Sequence, residues 1–161
     1  MSKMFDIMEA TMPFEEKVTW VNAVVTVLAA GWYAWTVGGR LGELPVTEIA
    51  YQRPLLVAVG AMIVLTIAGT IAMAIGTAIR AEVTGRGSVD DIDRKDERDA
   101  HIEARGDRFA FYVSSALMVG VLAMAMLEWP HFWIANGVFA AFVAGGLVSS
   151  GVKLAAYRRG F

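Results

Sequence analysis

The sequence predicts an all-α integral membrane protein, an antiparallel four-helix transmembrane bundle with a charged, helical cytoplasmic loop. Three observations carry that expectation. Of the 161 residues, 57% are hydrophobic, and the mean hydropathy of +0.52 is high for a globular chain. The charges gather between long apolar runs, where a soluble bundle would set a polar stripe along each helix. Four of these runs reach the length of about 20 residues that crosses the hydrocarbon core. They cover 18–37, 55–79, 109–127 and roughly 132–152, within a single membrane domain spanning 1–161, and none contains a charged side chain.

Each span has local punctuation. Gly38 and Gly39 close the first, where a left-handed residue is cheap only for glycine. Pro54 and Pro130 suit the first turns of the second and fourth, where a missing N–H costs little. Trp20, Trp32, Tyr33, Trp35, Tyr51, Trp129, Trp133 and Tyr157 fall near the expected interfaces, the place of amphipathic rings.

Lys and Arg set the direction. Lys3, Lys17, Lys153, Arg158, Arg159 and the loop 80–108 hold all but two of the 14 basic residues; Arg40 and Arg53 are the exceptions. Basic residues are retained on the cytoplasmic side. Both termini and the long loop are therefore expected in the cytoplasm, with short outer connections.

Small residues at four-residue spacing let membrane helices approach closely. The fourth span has Gly137, Ala141, Gly145 and Ser149, and the second has Ala68, Ala72 and Gly76 beside Gly69. Two uses are open: packing the chain's own helices, or a homodimer through the fourth. Thr19, Asn22 and Thr26 share one face of the first span, and Ser114, Ser115 and Asn136 complete a thin polar set. Thr19, Asn22, Thr26 and Asn136 could line a path. Interhelical hydrogen bonds worth about 0.5–2 kcal/mol each are the plainer account. The lack of an Asp, Glu, Lys, Arg or His in any span argues against a proton-coupled transporter or voltage sensor and leaves room for an oligomeric pore.

The loop 85–108, GRGSVDDIDRKDERDAHIEARGDR, is the most informative segment. Ser88 with Asp90 and Asp91 predicts a helix start, and the helix is expected to run towards the third span, weakened or kinked at Gly106. At 100° per residue, Asp96, Asp99, Glu103 and Asp107 share one face, and Arg94, Arg98, Arg105 and Arg108 lie nearly opposite. Several i, i+4 pairs are therefore like-charged, which costs an isolated helix a few tenths of a kcal/mol each. Divided faces make sense if each meets a partner: the basic face anionic headgroups, the acidic face a basic protein surface. Arg94, Asp96, Arg98, Asp99, Glu103 and Arg105 are the candidate partner-binding residues. A plain topology-setting loop is the bland alternative. A divalent-cation site on Asp96, Asp99 and Glu103 lacks EF-hand spacing.

Catalysis finds little support. No cysteine is present, and no Walker loop, GxSxG or HExxH motif occurs. His101 and His131 are expected on opposite sides of the membrane, so no metal site and no cofactor is expected. A net charge of −2, with bases interleaved among acids, gives no direct nucleic-acid surface. The Met1, Met4, Met8, Met12 series suggests a short interfacial helix or a disordered tail.

The opening 13–20 (PFEEKVTW), the loop 96–103 (DERDAHIE) with Gly106 and Arg108, the turn 131–136 (HFWIAN) and the ending 153–161 (KLAAYRRGF) resemble a group of small uncharacterised bacterial inner-membrane proteins. Genes of that group are associated with neighbouring helix-turn-helix regulators. The resemblance implies a membrane-bound partner for a cytosolic regulator protein and carries over no catalytic residue. The expected function is a membrane anchor or regulatory module acting through the loop; a homo-oligomeric channel or small-solute transporter is the alternative.

Overall fold

A computed structural model describes residues 14–84 and 97–159. These form four helices: α1 Phe14–Gly38, α2 Gln52–Thr84, α3 Glu97–Met126 and α4 His131–Arg159. All four are long and apolar enough to cross a membrane. Their ends carry favourable charge: Glu15 and Glu16 in the first turn of α1, Glu97 and Asp99 in that of α3, Arg158 and Arg159 in the last turn of α4. Acids at an N-terminus and bases at a C-terminus complement the helix dipole.

The α1–α2 connection is a run of tight turns. Arg40 N–H donates to Val37 O at 3.1 Å, Leu44 N–H to Arg40 O at 3.1 Å, and Glu48 N–H to Pro45 O at 2.9 Å. Ile49 is tucked back into the core, 3% exposed. The α3–α4 turn is tighter. Trp129 N–H donates to Met124 O at 3.0 Å and Glu128 N–H to Ala125 O at 3.2 Å, while Glu128 takes a left-handed φ of 55°. This is the Schellman pattern that usually selects glycine. Pro130 follows, and α4 starts at His131, one residue later than a first-turn proline would require.

In space α1 lies between α2 and α4, and α3 packs along α4. The densest apolar cluster, Tyr33, Val37, Ile49, Ala58, Phe132 and Phe139, gathers at the end bearing these connections. Tyr33 and Phe139 meet edge to face at 5.0 Å, and Tyr51 and Phe132 at 5.2 Å. Elsewhere the helices expose apolar side chains, among them Leu56, Ile63, Ile67, Ile71 and Ile75 on α2. An exposed apolar surface of this extent on a soluble monomer would be exceptional.

Candidate functional site

The segment 97–108 is part of α3, so the helix runs without a break past Gly106 into the apolar stretch. The weakening expected at Gly106 does not end the helix. Gly106 is instead buried at a close approach: a Cβ would lie 2.7 Å from Lys153 Cε and 3.1 Å from Ser149 O. The missing side chain lets α4 come in beside the helix, and that packing offsets the weak helix propensity of glycine.

This approach decides where the charges point. Lys153 Nζ sits 2.8 Å from Asp107 Oδ1, and Ser149 Oγ donates to the same oxygen at 3.2 Å. Asp99 accepts a hydrogen bond from the Tyr157 phenol. Burial chiefly, then the charge and hydrogen bond of Asp99, with Glu15 and Glu103 adding, push the Tyr157 phenol well above its usual value. Asp99 and Asp107 thus face donors of α4, with Glu103 one turn from each, and Ile102 is buried. Glu97, Arg98, His101, Arg105 and Arg108 are exposed, whereas Asp99 and Glu103 are half-buried. Part of the acidic face thus turns towards α4, while Asp107 keeps 61% of its side chain exposed. Arg94 and Asp96 lie outside the described residues, as do Ser88 and Met1–Met12.

Along the α1–α4 seam the polar set divides. Glu16, Thr19 and Thr26 are buried on α1, and Thr19 Oγ1 donates to Glu15 O at 2.8 Å. Asn22, between the threonines, has a buried Oδ1 without a hydrogen-bond partner among the described residues. An unmet buried acceptor costs about 1–3 kcal/mol. Asn136 is placed apart from these three. Its Oδ1 accepts from Tyr33 Oη at 2.7 Å and its Nδ2 donates to Phe132 O at 2.8 Å. Ala29, buried on the same face of α1, stands between Thr26 and Tyr33. The structure therefore brings Thr19, Asn22 and Thr26 together and does not join Asn136 to them.

The small residues of α4 lie against α3. A Cβ on Gly145 would collide with Ser114 Oγ and lie 3.4 Å from Ala110 O; one on Gly137 would lie 2.9 Å from Val121 Cγ2. Ala141 is fully buried, and Ser114 Oγ donates to its carbonyl at 3.0 Å. Ala72 and Gly76 of α2 are exposed, and a Cβ on Gly76 would meet nothing. The close approach on α2 is at Gly69, against Val21.

In the sequence Tyr33 and Tyr157 carry only the signal of interfacial aromatics and Lys153 that of a cytoplasmic base; the facing donors and acceptors on neighbouring helices set them apart. At the opposite end, Val46, Tyr51, Gln52, His131 and Phe132 border an open depression of about 450 Å³. Among the described residues no group of three or more His, Cys, Asp or Glu could hold a metal ion. Comparison of the chain with family models, with curated proteins and with solved structures gives no match.

Proposed function

We propose that this chain is a multi-pass protein of the bacterial cytoplasmic membrane that docks a cytosolic regulator protein on the exposed side of the α3 extension. It carries no enzymatic activity. The four helices cross the bilayer as antiparallel neighbours, with both termini and the segment 80–108 in the cytoplasm. The asymmetry of Lys and Arg supports that direction. The contact pairs Gly106 with Lys153, Ser114 with Gly145, and Val121 with Gly137 support the antiparallel path of α3 and α4.

One observation carries the docking reading: α3 continues unbroken from Glu97 to Met126, with 97–108 clamped to α4. A stiff, preordered helix loses less entropy on binding than a loose loop. Its outward residues Glu97, Arg98, His101 and Arg105 offer a polar surface. In-cell crosslinking of a tagged copy, followed by mass spectrometry, tests this. A cytosolic protein recovered with wild type and lost with Arg98→Ala/Arg105→Ala supports docking. Undiminished recovery with the variant, or self-crosslinks alone, removes it.

The unmet Asn22 Oδ1 favours a second reading, a homo-oligomeric pore or small-solute transporter with Thr19, Asn22 and Thr26 on its wall. Asn136, held by Tyr33, is not part of that wall. Solute flux into proteoliposomes that disappears with Asn22→Leu would select this reading over docking.

A further inference from the structure

At the charged end of the molecule some ionic groups are paired or buried and others are not. Asp99 and Asp107 bond to α4, and Glu16 is 8% exposed. Lys17 and Arg158, in contrast, have no ion-pair partner among the described residues. Lys17 lies three residues before Trp20 on α1, nearly one helical turn away. The Arg158 guanidinium, from the last turn of α4, sits 5.7 Å from the centroid of the Trp20 ring. That is within cation–π range. The indole offers the guanidinium no acceptor oxygen, and among the described residues its N–H donors have no carboxylate partner.

The surface beside this pair identifies the anion's source. Val24 and Val27 follow Trp20 one and two turns along the same face of α1, with Leu28 beside them; they are exposed by 48%, 55% and 65%. A guanidinium stacked on an indole, beside an exposed apolar strip, fits a molecule with an anionic head and hydrocarbon tails. Trp rings lie at headgroup depth, and a guanidinium binds a phosphate through paired N–H donors.

We propose that Lys17, Trp20 and Arg158 form a binding site for an anionic phospholipid of the cytoplasmic leaflet. The headgroup phosphodiester bonds to Arg158 and Lys17, and one acyl chain lies along Val24, Val27 and Leu28. The proposal rests on the membrane reading above and is independent of the docking reading.

The full chain is reconstituted in nanodiscs of equal parts phosphatidylcholine and phosphatidylglycerol, and the lipids retained after release are counted by native mass spectrometry. Failure of wild type to enter the nanodisc overturns the membrane reading and this site with it. With wild type incorporated, the site predicts phosphatidylglycerol enriched about fivefold among the retained lipids, the preference expected of one basic group at the surface. Arg158→Gln removes the enrichment and Trp20→Leu weakens it. Arg159→Gln, an equal loss of charge one residue away, leaves it intact. No enrichment with wild type, or equal losses from Arg158→Gln and Arg159→Gln, overturns the site and leaves diffuse surface charge. Circular dichroism of each variant in the nanodisc establishes that the helices are retained.

Discussion

On α4, Gly137, Ala141 and Gly145 repeat every four residues, and α3 lies directly on them. On α2, Ala68, Ala72 and Gly76 repeat with the same spacing, and all three are exposed. The two stripes are equivalent in sequence and opposite in use. A row of small residues grants permission for close approach, but a neighbour must supply a shape that needs it. Here α3 supplies one: Ser114 projects at Gly145 and reaches the Ala141 carbonyl, while Val121 fills the space at Gly137. On the α1–α2 side the demand falls at Gly69, where Val21 reaches the helix.

The contrast predicts opposite signs for one kind of substitution. Gly145→Ala should destabilise by about 1–3 kcal/mol, because a new Cβ displaces Ser114 from a packed seam. Unfolding in detergent micelles, followed by circular dichroism, measures it; an unchanged midpoint would place α3 elsewhere. Tyr33→Phe tests the neighbouring α1–α4 seam. It removes the donor to Asn136 and should cost about 0.5–2 kcal/mol, with Asn136→Leu adding little once Tyr33 is gone.

Glu128→Gly acts on the turn that folds α3 onto α4. Relief of a left-handed non-glycine residue should stabilise by about 1 kcal/mol, read as a higher unfolding midpoint. Gly76→Ala sharpens the comparison from the other side. With nothing in its way, the added methyl should be neutral or stabilise by up to about 1 kcal/mol through helix propensity. A large loss there would mean that something outside this chain packs on α2.

The smallest expected effect concerns Tyr157 and is a pH dependence. Its phenol pKa is raised in the folded protein, so the folded state holds this proton more tightly than the unfolded state does. The resulting stability is fully present below about pH 10, the ordinary phenol value, and is lost as pH rises from there through the folded value. Tyr157→Phe should flatten this alkaline limb in a titration of the unfolding midpoint.

The four apolar helices were legible because nothing interrupts them. Long uncharged runs admit few other structures. The helix ends were less so: α2 continues to Thr84, and α3 begins by Glu97, both in charged sequence where propensity is weak and packing decides. The shared face of Thr19, Asn22 and Thr26 follows from helical spacing alone. The separation of Asn136 does not, because it depends on Tyr33 arriving from another helix. Likewise the division of charge on 97–108 could be drawn from the sequence, but which side turns inward depended on Lys153 and Tyr157, about fifty residues further along. Gly106 shows the limit most plainly: a residue that weakens an isolated helix becomes, in contact, a point of close approach between two helices.

Because α3 is one continuous helix, 97–108 behaves mechanically as an arm of the stretch 109–126. At 1.5 Å per residue that arm is about 18 Å long. A change of 10° in the inclination of α3, as a single body, would swing Glu97 sideways by about 3 Å, comparable with the reach of one hydrogen bond. Bilayers of different thickness set different inclinations in the helices they contain. Angular changes of this size would therefore arrive at the far end of α3 as displacements on the scale of molecular contacts.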